Sequence, residues 1–244
     1  MNWKIYDSPA MVIRALCDNL LALSRSKKTV HVSLSGGSTP KRFFAALAEP
    51  VCANNINWEN LHFWWGDERC VPPEDPESNF GAAYELLLRN VNIPAGNIHR
   101  IHGEEKPEIE ARRYAGEIDE FVPKHSDGVP AFDWIILGMG SDGHTASLFP
   151  DQTDFADPRL IFIATQPESG QLRISKTVRL IEAADRISYL VLGKSKAKLL
   201  KEIRTKIDAA GCDLNTLPWP AARIRSTRGI TEWYLDSAAA MLMS

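Results

Sequence analysis

The feature that most constrains this chain is an alternation between short apolar runs and stretches with an apolar residue every three or four positions. Apolar runs bounded by turn residues predict buried strands, and the longer period predicts amphipathic helices. The predicted strands cover residues 29–34, 61–65, 132–137, 160–165 and 187–192. Alternating strands and helices are typical of βα units around a mostly parallel sheet. We therefore predict a three-layer α/β fold in which helices flank that sheet.

Helices are predicted before, between and after these strands. The first helix carries an apolar stripe formed by Val12, Leu16, Leu20 and Leu23. A later helix ends before Pro94 and carries the apolar residues Tyr84, Leu87, Leu88 and Val91. Another is expected to begin at Pro40 with Thr39 as its cap. Further helices are expected over residues 108–122, 195–207 and 231–242. The sequence contains no internal repeat or long linker, so we expect one domain over residues 1–244.

Composition excludes several classes of protein. Hydrophobic residues make up 44% and charged residues 24% of the chain, which is globular rather than disordered usage. No apolar run approaches the ~20 residues that cross a bilayer, and residues 1–10 lack the layout of a secretory signal. We therefore expect a cytoplasmic protein with no membrane partner. The four cysteines form no C-x-x-C pair, which argues against a zinc site or a disulfide framework; they are Cys17, Cys52, Cys70 and Cys212.

Charge is unevenly distributed along the chain. The net charge of −3 argues against a nucleic-acid partner, but residues 173–206 hold ten Lys or Arg against three Asp or Glu. Within this segment Lys196 continues an inward apolar stripe, which includes Leu200 and Ile203. It also stands in a helix's first turn, where the dipole disfavours a cation. We favour an anion that neutralises Lys196; the alternative is a stem that lies on apolar surface while the ammonium reaches water.

A loop with two glycines and three hydroxyl residues, 35–40, joins the first predicted strand to a helix. Free N–H groups and the dipole at a helix start favour an anion, so a phosphate cradle is one interpretation and a capped tight turn is the other. A different segment, Gly193-Lys194-Ser195, resembles the end of a P-loop. Ser188 stands where the first glycine of that motif is required, so a P-loop is excluded.

A second glycine-containing loop follows the strand 132–137. Its G-x-G-x-x-G pattern does not predict dinucleotide binding, because Pro150 interrupts the expected helix and the next strand ends at Thr165 rather than at an acidic residue. Ser141 is no nucleophile elbow, since Met139 stands where glycine is required. The loop instead brings Asp142 and His144 to the sheet edge.

His144 is a candidate general base. Its side chain can take a proton from water and return it near neutral pH, and Asp142 can orient it. An isolated histidine is more often structural, and D-x-H can also be half of a metal site. The other five histidines have no ligand spacing, so we predict no metal.

Asp67-Glu68-Arg69 follows the strand 61–65 directly. Alone it would be a surface charge cluster. Ligands in open α/β sheets bind beyond the carboxyl ends of strands, where this segment joins the two glycine loops. There Arg69 can hold a carbonyl or carboxylate, and Asp67 can act as acid, base or orienting group.

These segments resemble the glucosamine-6-phosphate isomerase/6-phosphogluconolactonase family, and within it the lactonases. The matching motifs are Ser35-Gly36-Gly37-Ser38-Thr39-Pro40, Gly66-Asp67-Glu68-Arg69-Cys70-Val71-Pro72 with Ser78-Asn79, Gly138-Met139-Gly140 with Asp142-Gly143-His144-Thr145-Ala146-Ser147-Leu148-Phe149-Pro150, Arg173-Ile174-Ser175, Lys196-Ala197 and Trp233-Tyr234-Leu235-Asp236. The isomerases typically have D-E-Y and D-G-H-I-A-F-N-E-P at the second and third motifs, which favours a lactonase here. Ser175 stands where threonine is common and Cys70 where an aromatic residue is frequent.

The resemblance implies a modified Rossmann-like domain that hydrolyses 6-phosphogluconolactone in the pentose phosphate pathway. His144 would activate water, Asp142 would orient the site, and Arg69 would stabilise the oxyanion or bind the product carboxylate. Asp67 would be a further catalytic residue acting as acid, base or orienting group. The substrate phosphate would be bound by Gly36, Gly37, Ser38, Arg173 and Lys196. No metal or organic cofactor is implied, and we expect a monomer or weak homodimer. The alternatives are a glucosamine-6-phosphate isomerase/deaminase, a non-catalytic sugar-phosphate-binding regulator and, last, a nucleic-acid binder using residues 173–206.

Overall fold

The structure, a computed structural model, describes residues 1–209 and 213–243; Cys212 lies outside them. The strands are β1 (Asn2–Tyr6), β2 (Val30–Leu34), β3 (Leu61–Trp65), β4 (Asp67–Arg69), β5 (Ile98–His99), β6 (Trp134–Leu137), β7 (Ile161–Thr165), β8 (Leu172–Lys176), β9 (Arg186–Val191) and β10 (Ile230–Asp236). The helices are α1 (Pro9–Ser24), α2 (Ser38–Ala48), α3 (Pro50–Ala53), α4 (Asn79–Leu86), α5 (Pro107–Phe121), α6 (Val178–Glu182), α7 (Ala197–Asp208), α8 (Pro220–Arg223) and α9 (Ser237–Ala240). Within these residues no helix is long and apolar enough to cross a membrane.

Seven strands form a parallel sheet in the order β1-β10-β9-β6-β2-β3-β5. The chain runs outward from β2 in one direction, through β3 and β5, and from β6 in the other, through β9 and β10. The strand order therefore reverses between β2 and β6. Loops that leave the carboxyl ends of two such strands diverge and open a crevice, which is where open α/β sheets bind ligands.

Both central strands are buried along their whole length, so helices cover both faces of the parallel sheet. Aromatic side chains fill much of this core, and Trp64, Trp134 and Trp233 are fully buried. The predicted three-layer α/β architecture is confirmed. A second, antiparallel sheet has the order β4-β8-β7 and brings Arg69 opposite Arg173.

The five predicted strands are all present, with ends that differ by up to two residues. The predicted helix 108–122 is α5, and the helix 195–207 is a 3₁₀ turn, Lys194–Lys196, followed by α7. The helix predicted to carry Leu87, Leu88 and Val91 ends earlier, at Leu86, because Leu87 leaves the helical conformation before a separate 3₁₀ turn.

The predicted helix over residues 231–242 is wrong. Residues 230–236 form β10, which pairs with β1 and β9, and only α9 behind it is helical. Every residue of β10 after Ile230 is buried, because the strand lies inside the sheet with both faces covered. Its sequence shows no two-residue alternation, because polar residues such as Glu232 are buried too, in this case in ion pairs with Lys4 and Arg186. The period therefore does not distinguish the strand from a helix.

The start of α2 also differs from the prediction. Gly37, with φ +106°, occupies the cap position and Ser38 is the first helical residue, so Thr39 is not the cap and Pro40 is the third residue of the helix. Proline is tolerated there because the first four N–H groups of a helix have no partner within it. The earlier start places the main-chain N–H groups of Ser38 and Thr39 at the sheet edge, while Pro40 has none.

Candidate active site

The loops after β2 and β6 meet at the reversal of strand order, beside a cavity of about 190 Å³. Eight of the nine predicted site residues line this cavity: Gly36, Gly37, Ser38, Asp67, Arg69, His144, Arg173 and Lys196. The ninth, Asp142, contacts His144 from behind. The structure thus brings together residues that are up to 160 positions apart in the sequence.

The imidazole of His144 is held by Asp142. Oδ1 of Asp142 lies 2.6 Å from Nδ1 of the ring and also accepts the main-chain N–H of His144 at 3.1 Å. A carboxylate at Nδ1 places the ring proton there and leaves Nε2 as the basic nitrogen. Burial alone would raise the pKa of Asp142, but the hydrogen bonds and the charge of His144 lower it below its ordinary value. Asp142 is therefore the ionised partner of the pair.

Residues 138–150, which we call the histidine loop, are folded tightly to present this pair. The N–H of Gly140 donates to the carbonyl of His144 at 2.9 Å, and the hydroxyl of Thr145 donates to the carbonyl of Gly138 at 2.8 Å. A Cβ at Gly140 would lie 2.2 Å from Nδ1 of His144 and 2.5 Å from Oδ1 of Asp142. A side chain at residue 140 is thus incompatible with the His144–Asp142 contact.

Phe149 forms a wall behind the site. Its ring centroid lies 5.0 Å from that of His144, and the guanidinium of Arg173 lies 5.7 Å from the same centroid. Phe149 is 2% exposed, so it supports both groups from the protein interior. A cation beside an aromatic ring is attracted by the negative π face.

The glycine loop after β2 approaches Asn79 too closely for any side chain at residue 36. A Cβ on Gly36 would lie 1.7 Å from Oδ1 of Asn79. The adjacent cap residue, Gly37, has no side chain that could accept the first N–H groups of α2. The N–H groups that begin this helix therefore face the cavity edge, where they favour an anion.

Arg69 is fixed by main-chain and amide oxygens rather than by a carboxylate. It donates to the carbonyl of Glu77 and, at 3.0 Å, to Oδ1 of Asn79. The neighbouring Glu68 points away from the cavity and accepts the main-chain N–H groups of Asn79 and Phe80 at 2.8 and 2.7 Å. Glu68 thus anchors α4 to β4. Burial raises the pKa of Glu68, although these hydrogen bonds oppose the shift.

Two basic residues of the segment 173–206, Arg173 and Lys196, line the cavity. Burial lowers the pKa of both groups, with nearby Asp67 and Asp142 respectively opposing the shift. Nζ of Lys196 has no carboxylate within 4 Å among the residues that the structure describes. Lys196 is half-buried at the cavity wall, and its neutralisation by a bound anion stays a prediction.

Asp67 is buried and makes several polar contacts, among them a long one of 3.5 Å from Nδ2 of Asn79 to its Oδ1. Its Oδ2 accepts the hydroxyl of Ser147 at 2.7 Å and lies 4.0 Å from Nη1 of Arg173, while its main-chain carbonyl accepts Nδ2 of Asn79 at 2.9 Å. Asn79 and Ser147 were not assigned roles from the sequence. Both belong to the motifs quoted above, but short polar side chains carry no pattern that separates a buried partner from a surface residue.

Metal ligation was not predicted, and within residues 1–209 and 213–243 no three His, Cys, Asp or Glu side chains converge as metal ligands. Three of the other histidines lie outside the cavity: His31, His62 and His99 form a chain of contacts around Trp64.

The family of the chain follows from its sequence together with this site. A profile of the family described as Glucosamine-6-phosphate isomerases/6-phosphogluconolactonase matches residues 7–233. The chain belongs to this family.

Individual members of the family are similar over the whole length. The 6-phosphogluconolactonase of Haemophilus influenzae is 52% identical over 243 residues, which cover 100% of both chains. The chain in the crystal structure of devB protein has 54% sequence identity to this chain and superposes with a TM-score of 0.95 over 100% of this chain and 99% of that chain. The 6-phosphogluconolactonase of Trypanosoma brucei is 26% identical, with a TM-score of 0.81 over 100% of this chain and 98% of that chain.

Proposed function

We propose that the chain hydrolyses 6-phospho-D-glucono-1,5-lactone to 6-phospho-D-gluconate in the oxidative pentose phosphate pathway. The observation that carries the proposal is one shared cavity: the oriented base His144 faces the same space as the cations Arg173 and Lys196 and the glycine loop at Gly36. A base at one side and an anion-binding surface at the other match a substrate with an ester at one end and a phosphate at the other.

Nε2 of His144 takes a proton from water while the water oxygen forms a bond to the lactone carbonyl carbon. The resulting tetrahedral oxyanion collapses, the bond from carbon to the ring oxygen breaks, and the proton on Nε2 passes to that oxygen as it leaves. Collapse gives a carboxylic acid and a new hydroxyl group, and the acid releases its remaining proton, which came from the water, to solvent and leaves as a carboxylate. General acid–base assistance of this kind contributes roughly 10²–10⁴-fold.

The cations divide between the two ends of the substrate. We assign Arg173 and Lys196, with the N–H groups of Gly36, Gly37 and Ser38, to the phosphate. Arg69 is assigned to the developing oxyanion or the product carboxylate, since a guanidinium held by Asn79 is preorganised for this task. Three cations against Asp67 leave the cavity basic, as a phosphate dianion requires.

The test is a coupled assay with freshly generated lactone, corrected for spontaneous hydrolysis. His144→Ala is expected to lower kcat by at least ~10²-fold. The matched control is His125→Ala, because this histidine also lies beside a carboxylate, 3.4 Å from Asp185, but outside the cavity. Near-normal turnover by His144→Ala would reject the role of His144.

The same preparation distinguishes the other functions considered above. Release of ammonia from glucosamine-6-phosphate without lactone hydrolysis would indicate an isomerase/deaminase. Binding of 6-phosphogluconate by a protein that hydrolyses no lactone would indicate a sugar-phosphate-binding regulator.

We further propose that residues 1–244 form one lactonase domain, which works in the cytoplasm as a monomer or weak homodimer without metal or nucleic acid. A base and electrostatic support suffice for a strained ester. Unchanged activity after dialysis against a chelator, and a monomeric or concentration-dependent dimeric mass in sedimentation, are the expected results; loss of activity on chelation contradicts the metal-free mechanism.

A further inference from the structure

The histidine loop contains a strained turn directly after its base. Residues 145–148 close a tight turn in which the N–H of Leu148 donates to the carbonyl of Thr145 at 2.9 Å. Ala146, within the turn and at the cavity wall, has φ +49°. Residues with a Cβ rarely adopt this left-handed conformation, so surrounding contacts must hold it.

Ser147, the next residue, makes the contacts that hold this turn. Its hydroxyl donates to Oδ2 of Asp67 at 2.7 Å, and its N–H donates to Oγ of Ser175 at 3.3 Å. Asp67 and Ser175 face each other in the register of β4 and β8. Ser147, which is 1% exposed, thus ties a loop that leaves the parallel sheet to the antiparallel sheet through hydrogen bonds.

Asp67 is engaged at both carboxylate oxygens, and Oδ1 accepts Nδ2 of Asn79 at 3.5 Å. Oδ2 accepts the Ser147 hydroxyl, and Arg173 lies 4.0 Å from the same oxygen. A carboxylate with a hydroxyl and a guanidinium on one oxygen is arranged as a fixed acceptor. These contacts favour a fixed acceptor over a group that exchanges protons with the substrate.

We propose that Ser147 is a positioning residue, which holds His144 in register with the substrate by anchoring the histidine loop to the carboxylate of Asp67. Asp67 then serves as the anchor and not as a proton donor or acceptor. The proposal rests on the proposed lactonase function and adds a residue that touches neither substrate nor His144.

The first test compares Ser147→Ala with Ser188→Ala. Ser188 is also fully buried, and its hydroxyl also bonds to a carboxylate, that of Glu232 at 3.4 Å, but it lies outside the cavity. Because a small misplacement of a catalytic group is costly, Ser147→Ala is expected to lower kcat by about 10- to 100-fold. KM is expected to stay within about three-fold, since the residues assigned to the substrate phosphate lie on other segments. A kcat equal to that of Ser188→Ala overturns the proposal.

Asp67→Asn separates the anchor from an acid or base. The amide oxygen of asparagine still accepts the Ser147 hydroxyl, so this variant is expected to keep more activity than Ser147→Ala and the same pH profile of kcat. An Asp67→Asn protein that is slower than Ser147→Ala, or that loses one limb of the profile, overturns the proposal.

Hydrogen exchange makes the test independent of lactonase activity. Peptides covering residues 140–149 are expected to exchange faster in Ser147→Ala than in Ser188→Ala. Faster exchange in a protein that hydrolyses no lactone would contradict the proposed function while supporting the anchor. Normal exchange together with normal kcat in an active lactonase would reject the anchor alone.

Discussion

Nδ1 of His144 lies 2.6 Å from Oδ1 of Asp142, and this contact determines which ring nitrogen faces the cavity. The two residues are separated by Gly143 alone, so a single tight loop carries both the base and the group that orients it. Which ring nitrogen faces the cavity is therefore set within the loop, whereas the position of the loop itself depends on its contacts with other elements.

Asp142→Asn is expected to lower kcat by about 10- to 100-fold with little change in KM. The asparagine amide can donate to Nδ1, which favours the ring tautomer with the proton on the nitrogen facing the cavity. The measurement is steady-state hydrolysis of the phosphorylated lactone. Asp185→Asn, beside His125, is the control, and equal rates for the two variants would contradict the role of Asp142.

Lys196→Met is expected to raise KM for the phosphorylated lactone by about 10- to 100-fold, because a charge-assisted contact contributes roughly 1.5–3 kcal/mol. Activity on the unphosphorylated lactone is expected to be unaffected. Lys198→Met, on the exposed side of α7, serves as control because it changes the same charge. An unchanged KM in Lys196→Met would reject the phosphate-binding role.

Gly140→Ala is expected to lower kcat by about 10²-fold. The added Cβ would lie 2.2 Å from Nδ1 of His144, so the His144–Asp142 pair has to move. Gly96→Ala places its Cβ in open space and is expected to be silent. Comparison of kcat and of the melting temperature for the two variants tests whether the effect is local; a fully active Gly140→Ala would show that the pair tolerates displacement.

Stability is expected to fall in mild acid because of a histidine remote from the site. Burial, and then the charge of His62, lowers the pKa of His31 to about 4. As pH falls below about 6.5, His31 becomes protonated in the unfolded chain but stays neutral in the folded protein. The free energy of unfolding therefore decreases by roughly 3 kcal/mol between about pH 6.5 and pH 4.

Urea unfolding between pH 7 and pH 4 measures this loss. His31→Gln keeps an acceptor for the indole N–H of Trp64, which donates to His31 Nδ1 at 3.1 Å, but does not titrate. The variant is expected to lose less stability on acidification than the original protein. An identical pH dependence for both proteins would exclude His31 as its source.

Much of the site was predictable because its residues lie in loops that follow predicted strands directly. Glycine and hydroxyl residues after an apolar strand report a turn at the carboxyl end of that strand, and parallel strands bring such ends to one edge. His144, Lys196 and the glycine loop were therefore expected to lie close together. Lys196 was identified by a conflict, since a cation occupied an inward position in a first helical turn.

The elements that were not predicted from the sequence, or were predicted as the wrong type, are those in which tertiary contacts override the local conformational preference of the residues. β10 reads as a helix or a strand until it is placed between β1 and β9, where both faces are buried. β4 and β8 are short and acquire their conformation by pairing with each other. Their pairing decides that Arg69 and Arg173 share one cavity.

The sequence by itself determined the α/β class, the loops that carry the chemistry and the local pairing of Asp142 with His144, because these depend on neighbouring residues. Only the tertiary structure decided that Ser147 bonds to Asp67 and that Asn79 lies against Gly36. These contacts join segments 80 and 43 positions apart, and short polar side chains gain such partners only when packing removes them from water.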